Sequence, residues 1–308
     1  MATVNNRTGL PQAVTINGVD AGGAMQCRLQ EGYEGIVRSG PDGLPGPPLI
    51  DRDIQFVRGT IVTQDWVEAI NLLTGVVGTY VFSERKSGVA AATGYIKHTL
   101  TNPVIYRVRL SANKGQYATV AADFECRAAS ETATIADMHA VLDSQAAPTH
   151  ITAARGGYRL TGGKFNTTPA IDIYHLTAAD FTIEMPLVKE CNDSDIAYTC
   201  VDARLDGMTA VGSITFQDSA IAAESATLVA QKLLLGARSS LEWRLTQSQG
   251  ATAQDFTIAG VQFHLIAPIA DSGRPFTEYA CNFEVCQSVG TPLTLDGDNK
   301  LLTIAEAS

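Results

Sequence analysis

GTIVTQD, from Gly59 to Asp65, recurs as GSITFQD from Gly212 to Asp218, with four of the seven residues identical. Both stretches are predicted to be β-strands. A repeat of seven residues is short, so it indicates a duplication only if the flanking segments repeat as well. They do, and this indicates a tandem duplication.

Each strand is followed by a segment with the spacing of an amphipathic helix, and each helix is predicted to end at a glycine. In the second copy a short insertion, SAIAAE, precedes this segment. The apolar residues of the two predicted helices are Trp66, Ile70 and Leu73 before Gly75, and Leu228, Leu234 and Leu235 before Gly236. Both copies therefore predict a strand, a short helix and a glycine stop.

Alternating apolar residues follow both helices and predict a further strand in each copy. A β-hairpin pattern comes next, at Ile105–Cys126 in the first copy and at Val261–Cys286 in the second, with turns predicted at Gly115 and Gly273. Each hairpin closes on similar residues, Asp-Phe-Glu at 123–125 and Asn-Phe-Glu at 282–284. The same order of elements in both halves favours two homologous units.

We therefore expect a mainly β protein with short helices, built as two tandem antiparallel β-sandwich or barrel domains, each flanked by one α-helix. The first domain is expected to span residues 1–150 and the second residues 151–308. Ile135, Met138 and Leu142 form one helical stripe before Pro148, which predicts a linker helix at the end of the first domain.

Composition restricts the class of protein. The chain has 308 residues, of which 45% are hydrophobic and 18% charged, as expected for a folded globular protein. Its net charge of −10 argues against a protein that grips nucleic-acid phosphates with Lys and Arg. The amino terminus lacks the features of a secretory signal and no long apolar run occurs, so we expect a product made in the cytoplasm that binds no membrane. The six cysteines are then expected to be buried free thiols.

The sequence offers no catalytic motif of the nucleophile-elbow, HExxH, Walker A or dinucleotide-binding type. GYRLTGGK at Gly157–Lys164 is the nearest match to a phosphate loop, but its lysine is one residue too far along and Phe165 replaces Ser or Thr. We interpret it as a turn at a strand edge. The histidines are scattered and are expected at the surface or at strand edges: His98, His139, His150, His175 and His264. We expect no enzymatic activity, metal or cofactor.

One loop stands out as a candidate contact with another subunit, because prolines stiffen it and remove backbone donors that docking would leave unsatisfied. Its residues are Ser39, Pro41, Asp42, Gly43, Leu44, Pro45, Gly46, Pro47 and Pro48.

On its element order, the helix after GTIVTQD, the Ser39–Pro48 loop, its acidity and its size, the chain resembles the tail tube proteins of bacteriophages. In that family a β-sandwich flanked by one α-helix forms six-fold rings that stack around a channel for DNA. Some tail tubes of long-tailed phages carry the unit twice and build trimeric, pseudo-hexameric rings. The resemblance implies a structural virion protein of the tail, made in the host cytoplasm. Its partners would be itself and the tape measure, terminator and tail-tip proteins, with DNA only in transit.

Other readings stay open. The chain could be a tail-tip hub or distal tail protein of the same fold, with rings of three or six chains, in a contractile or non-contractile tail. A β-sandwich carbohydrate-binding protein is disfavoured because Trp66 and Trp243 are both expected in the core. An acidic or neutral bore would let DNA slide, since duplex DNA carries one negative charge per about 1.7 Å, but the net charge is equally consistent with solubility alone.

Overall fold

The computed structural model of the chain describes residues 7–16, 19–20, 24–38, 49–64, 78–86, 93–148, 157–168, 170–173, 175–191, 196–204, 207–217, 238–247, 253–269, 278–286 and 301–306. In chain order the strands are β1 (Arg7–Ile16), β2 (Val19–Asp20), β3 (Ala24–Arg38), β4 (Leu49–Thr63), β5 (Thr79–Lys86), β6 (Tyr95–Thr101), β7 (Pro103–Asn113), β8 (Thr119–Cys126), β9 (His139–Gln145), β10 (Tyr158–Phe165), β11 (Ile171–Ile173), β12 (Leu176–Glu184), β13 (Leu187–Glu190), β14 (Cys200–Ala203), β15 (Thr209–Gln217), β16 (Ser239–Gln247), β17 (Ala253–Ile269), β18 (Glu278–Val285) and β19 (Leu302–Glu306). A helix of four residues, α1 (Ile135–Met138), precedes β9. The prediction of a mainly β, antiparallel protein is confirmed.

Period-two patterning accounts for the strands. In β16 the side chains of Leu241, Trp243 and Leu245 are buried, whereas Arg244 between them is exposed. Successive side chains of a strand point to opposite faces, so this alternation places one face of the sheet on a core and the other toward solvent. The prediction that Trp243 belongs to the core is confirmed.

The first copy, which we define as residues 1–150, contains two groups of hydrogen-bonded strands. One is a sheet of order β2-β1-β5-β6-β9, and the other has the order β7-β8-β4-β3. The predicted hairpin from Ile105 to Cys126 is β7 and β8, and the residue at its turn, Gly115, has a positive φ. Every pair of strands is antiparallel.

The second copy, residues 151–308, repeats these pairings. Its strands follow the orders β11-β10-β16-β17-β19 and β17-β18-β15-β12. In these pairings the copies differ at one place, where the long strand β17 replaces the separate strands β6 and β7. The place where β6 and β7 meet, Asn102, corresponds to Gly260 in β17. Both residues have a positive φ, and their carbonyls accept the N–H groups of Arg127 and Cys286, each at 2.9 Å.

Local details show that the match holds residue by residue. The register of β7 on β8 shifts between Ile105 and Arg107, and that of β17 on β18 shifts between Phe263 and Leu265, at the same place in the pattern. A second shift also repeats: it falls at the start of β3 on β4 and at the start of β12 on β15. A β-bulge inserts one residue into a ladder, so two shared bulges fix the residue equivalence between the copies.

Gly59 and Gly212 from the two echoed stretches are equivalent and meet the same surroundings. Gly59 in β4 lies opposite Phe124, and Gly212 in β15 lies opposite Phe283. A Cβ at Gly59 would lie 2.3 Å from the carbonyl oxygen of Arg28, and a Cβ at Gly212 would lie 2.3 Å from Phe283 Cζ. The repeated stretch therefore needs glycine because phenylalanine and backbone approach it closely in both copies.

The two copies are joined through β7 and β12, which pair antiparallel and extend the sheet from one copy into the other. The result is a 12-stranded sheet of order β11-β10-β16-β17-β18-β15-β12-β7-β8-β4-β3, with β19 on β17. Two hydrophobic clusters lie beneath it. One is centred on Val57, Tyr80 and Phe124, and the other on Phe181 and Trp243.

The predicted linker helix is wrong beyond its first turn. Ile135–Met138 is helical, and the backbone N–H of Thr134 donates to the Asp137 carboxylate at 2.7 Å. Leu142 instead lies in β9 and is exposed. The reason is that residues from His139 onward pair with β6 and satisfy the backbone groups at the edge of that strand.

Several predictions fall on residues outside the described ranges. They include the helices at Trp66–Leu73 and Leu228–Leu235, the turn at Gly273, the Ser39–Pro48 loop, Trp66 and the domain boundary near residue 150. These stay predictions.

Candidate subunit interface

The joint between the copies shows how one unit of this fold binds another. On the solvent-facing side of the sheet, Arg107 of β7 lies opposite Glu184 of β12, and Arg109 lies opposite Thr182. On the other side Leu110 faces Phe181, and both are buried. The joint therefore combines a backbone ladder, an apolar face and an ionic face.

Asp123 of β8 organises the arginines of this ionic face. The carboxylate is 3% exposed and accepts a hydrogen bond from Arg107 Nε at 2.6 Å, from Arg109 Nη2 at 3.3 Å and from Thr60 Oγ1 at 2.5 Å. The bond to Asp123, and less strongly the charge of Glu184, raise the pKa of the Arg107 guanidinium. Buried in this way, the carboxylate keeps its partners fixed. The equivalent residue in β18 of the second copy is Asn282. This equivalence explains why Asp-Phe-Glu in one hairpin matches Asn-Phe-Glu in the other.

A second contact crosses from the second copy to the first. The connection from β12 to β15 contains the hairpin of β13 and β14, which lies against the first copy. The N–H of Gln55 donates to the carbonyl of Ile196, and that of Ala128 donates to the carbonyl of Tyr198, both at 2.8 Å. We call residues 185–204 the strap.

Side chains fasten the strap to the first copy. Lys189 Nζ lies 2.6 Å from Glu125 Oε2 and 3.3 Å from Glu34 Oε1, and the Tyr198 hydroxyl donates to Glu34. The Tyr198 hydroxyl, followed by the charge of Lys189, holds the pKa of Glu34 below its ordinary value. Burial raises the pKa of Glu125 in spite of the nearby ammonium group.

Two strand edges lie at the ends of the run of strands from β17 through β12 and β7 to β3. Among the described strands, β3 has β4 as its single ladder partner, and the part of β17 after Val261 has β18 alone. Large apolar side chains lie on this part of β17: Leu265 is 48% exposed and Ile269 is 40% exposed. Such edges present unpaired N–H and C=O groups to another chain.

The solvent-facing side of the 12-stranded sheet is mostly polar but unevenly charged. On β3, β4, β7 and β8 it carries four arginines, whereas the described residues of β12, β15, β18 and the part of β17 after Val261 include no Lys or Arg. Further along the sheet, β10 and β16 carry Arg159, Lys164 and Arg244 on their outward side. Charged residues near the joint include Arg28, Arg58, Arg107, Arg109, Asp123 and Glu125 in the first copy, and Asp180, Glu184, Glu278 and Glu284 in the second. An excess of acidic and neutral polar groups is therefore clear only on β12, β15 and β18.

The predicted contact loop, Ser39–Pro48, lies outside the described residues, but the strands that flank it are described. It connects β3 to β4 and is thus the first-copy counterpart of the connection that carries the strap. The residues that fasten the joint and the strap, including Arg107, Asp123, Lys189 and Tyr198, were not predicted. The signal that could have indicated one of them is the acidic or amide residue before Phe-Glu in each hairpin.

Predictions about chemistry need three corrections. His98 is buried in the interior strand β6 and not at the surface or an edge, and His139 is buried against it, although its strand β9 is an edge strand as expected. Cys191 and Cys200 are exposed, although every cysteine is a free thiol. Gly157–Lys164 is largely strand β10 and pairs with β11 and β16, so it is not a turn.

An open cleft of about 720 Å³ adjoins β10 and is lined by Lys114, Lys164, Asp172, His175, Glu242 and Arg244. Arg244 makes a two-pronged ion pair with Asp255, with both hydrogen bonds at 2.8 Å. In the part of the chain that the structure describes, no cluster of His, Cys, Asp and Glu could hold a metal ion. The same part contains no helix long and apolar enough to span a membrane.

Comparison with known proteins does not add to these observations. No protein-family model matches the chain, and no curated protein matches it.

Proposed function

We propose that this chain is a structural protein that assembles head to tail into closed rings, and that the rings stack to form a bacteriophage tail tube through which DNA passes. It is proposed to act without catalysis or cofactor, within the virion tail. Its partners would be further copies of itself and other tail proteins, such as the tape measure, terminator and tail-tip proteins.

One observation carries the proposal: the strands that join the two copies have equivalents at the exposed edges of β3 and β17. β12 joins β7 inside the chain. Because the copies share their strand pairings, β3 is the first-copy equivalent of β12, and β17 beyond Val261 is the second-copy equivalent of β7. The joint made once inside the chain can therefore be made again between β17 of one chain and β3 of the next.

Repetition of one head-to-tail joint produces either a closed ring or an open filament, depending on its rotation. If every joint has the same geometry and six units close the ring, three chains complete it, with first and second copies alternating. The strands from β17 to β3 would then pair continuously around the ring, and the edges of β17 and β3 would no longer be exposed to unspecific pairing.

The two faces of the sheet support the choice of a conduit. On β12, β15 and β18 the face opposite the hydrophobic clusters carries Asp180, Glu184 and Glu284, and the described residues of these three strands include no Lys or Arg. Duplex DNA carries about one negative charge per 1.7 Å of axis, so an acidic wall repels it weakly and does not hold it. In the first copy Asp123 offsets part of the charge of Arg107 and Arg109.

Electron microscopy and native mass spectrometry of the purified protein test the proposal. We expect rings of three chains, and tubes formed by their stacking, with an open bore. A monodisperse monomer at all concentrations would overturn it. Rings of six chains would contradict the trimeric closure, and a particle with a closed centre would contradict the role as a conduit.

A further inference from the structure

The joint between chains differs in chemistry from the joint inside the chain. We propose that β17 pairs with β3 of the neighbouring chain in one defined register, in which Gln30 lies opposite Ala267, Arg28 opposite Ile269 and Gly32 opposite Leu265. We further infer that this joint is held by apolar contacts and not by ion pairs. The inference rests on the proposed function and names the residues through which a second copy of this chain is bound.

The register follows from the bulges shared by the two copies. The shift between Ile105 and Arg107 in β7 corresponds to that between Phe263 and Leu265 in β17, so Arg107 is equivalent to Leu265. In the same way Arg109 is equivalent to Ala267, and Ser111 to Ile269.

On the other strand the shift at the start of β12 corresponds to the shift at the start of β3. Asp180 is therefore equivalent to Arg28, Thr182 to Gln30 and Glu184 to Gly32. Inside the chain, Thr182 pairs with Arg109, Asp180 with Ser111 and Glu184 with Arg107. Replacing each residue by its equivalent gives the register stated above.

The substitution of residues removes the opposite charges that face each other in the internal joint. The pair Arg107 and Glu184 becomes Leu265 and Gly32. Gly32 has no side chain, and Phe56 Cζ lies 3.0 Å from where its Cβ would be. An incoming Leu265 therefore meets the ring of Phe56, which is itself buried. This contact would cover an apolar side chain that is otherwise about half exposed.

Pro268 adds a feature that the internal joint lacks. The N–H of Lys114 donates to Thr177 O at 2.8 Å, and the N–H of Met185 donates to Tyr106 O at 2.7 Å, so residues 106 and 114 of β7 turn their backbone groups toward β12. Alternate residues of a strand turn their backbone N–H and C=O groups to the same side, so the backbone groups of Leu110 also face β12. Pro268 is the equivalent of Leu110, and its nitrogen faces the free edge.

Because proline has no N–H, this edge offers one donor fewer than a regular strand. Proline at a strand edge discourages unspecific pairing with other edges, and the matched side chains of β3 then decide which partner binds. We expect Pro268→Leu, which copies the internal joint, to lower the protein concentration needed for assembly. Leu265→Lys should raise that concentration about tenfold or more, which corresponds to about 1.4 kcal/mol.

Disulfide trapping tests the register. Gln30 and Ala267 would form a non-hydrogen-bonded pair, whose Cα atoms lie about 4.5 Å apart, within the range that a disulfide spans. In a background with Cys191→Ser and Cys200→Ser, oxidation of the Gln30→Cys, Ala267→Cys variant should convert most of the monomer into disulfide-linked oligomers, seen as a ladder of bands on a non-reducing gel. The matched internal pair, Arg109→Cys with Thr182→Cys, should form its disulfide without any ladder.

A Gln30→Cys, Leu265→Cys variant, which is out of register by two residues, should not cross-link. If it forms the ladder and the first variant does not, the register is wrong while ring assembly stands. If the wild-type chain does not assemble at all, the proposed function itself fails. Rings that dissociate between about 0.1 M and about 1 M salt would overturn the apolar character of the joint, since ion pairs are screened in this range.

Discussion

His98 Nδ1 lies 2.9 Å from His139 Nε2, and both imidazoles are buried in the first copy. Phe82 stacks on His98 with ring centroids 4.4 Å apart, and His139 also contacts Glu31. In the second copy the equivalent positions are Phe256 and Leu302, which are buried and apolar. One copy thus keeps a polar pair where the other has ordinary core.

We expect the two histidines to be coupled energetically. His98→Phe alone leaves a nitrogen of His139 without its partner and should lower the free energy of unfolding by about 1–3 kcal/mol. The double variant His98→Phe, His139→Leu copies the second copy and should lose less than the sum of the single variants. Urea unfolding at neutral pH measures this. Additive losses would contradict the coupling, and Phe256→His serves as the reverse control, with a large expected loss.

The strap should make stability depend on acid pH through Glu34. The folded-state pKa of Glu34 is lowered chiefly by the Tyr198 hydroxyl, so its stabilisation is present above the unfolded pKa of 4.5 and is lost as pH falls through the folded value. In the Tyr198→Phe variant the folded-state pKa of Glu34 should rise, so less stability should be lost at acid pH. The raised pKa of Glu125 acts in the opposite direction, with stability falling as pH rises above 4.5.

Urea unfolding of the wild type and of Tyr198→Phe, from about pH 6 to about pH 3, isolates the Glu34 contribution because Glu125 is present in both. NMR titration of the Glu34 carboxyl carbon gives its pKa directly. Parallel stability curves for the two proteins would show that the bond to Tyr198 does not control this titration.

Thiol reactivity should divide five of the six cysteines into two groups. Burial raises the pKa of Cys27, Cys126 and Cys281 to about 12, whereas Cys191 and Cys200 are exposed. Since the thiolate is the reactive form, iodoacetamide at about pH 8 should label the exposed pair rapidly and leave the three thiols of raised pKa unmodified. Mass spectrometry of the native protein measures this, and labelling in urea provides the control. Rapid native labelling of Cys281 would contradict the packing of β18.

The equivalent glycines should be equally intolerant of substitution. Gly59→Ala brings a Cβ 2.3 Å from a backbone oxygen, and Gly212→Ala brings one 2.5 Å from the oxygen of Asp180. Each should lower the free energy of unfolding by more than about 2 kcal/mol. Gly162→Ala is the matched control, because no atom lies within 4 Å of the added Cβ. A mild effect at either site would argue against the close approach of the strands there.

The Pro-rich loop is expected to act in assembly and not in folding. Deletion of residues 41–47 should leave the circular dichroism spectrum and thermal midpoint of the monomer nearly unchanged, while tubes are lost. A variant in which Gly and Ser replace this segment at equal length separates the effect of loop length from that of its prolines. Tubes of normal length from the deletion would refute the role of the loop.

Local pattern predicted the strands well, since alternation around Trp243 and the hairpin between β7 and β8 depend on neighbouring residues. It failed where a distant partner decides. Leu142 follows a helical stripe with Ile135 and Met138, yet it lies in β9, because the edge of β6 needs a ladder partner. The burial of His98, by contrast, follows from alternation in its own strand, because Ile96 and Leu100 on either side of it are buried on the same face of β6.

The interface could be predicted only as far as the duplication reveals it. The echo of GTIVTQD implied two equivalent units, but not that β7 would pair with β12, since edge pairing between units leaves no periodic signal in either strand. The strap lies in the connection from β12 to β15, which is longer than the equivalent connection from β3 to β4, so comparison of the copies gave no guide to it. Lys189 and Tyr198 contact residues of the first copy that are distant in sequence, so no pattern in their own segment predicts these contacts.

The internal joint of β7 and β12 has a kinetic consequence. Because both strands belong to one polypeptide, their association proceeds at an effective concentration fixed by the connecting segment, independent of how much protein the cell has made. In a three-chain ring half of the contacts around the circumference would then be present before any encounter between chains. The rate of nucleation would depend on a lower power of the monomer concentration than in a ring of six single units. The joint between chains, β17 with β3, would then be free to evolve toward slower and more selective pairing.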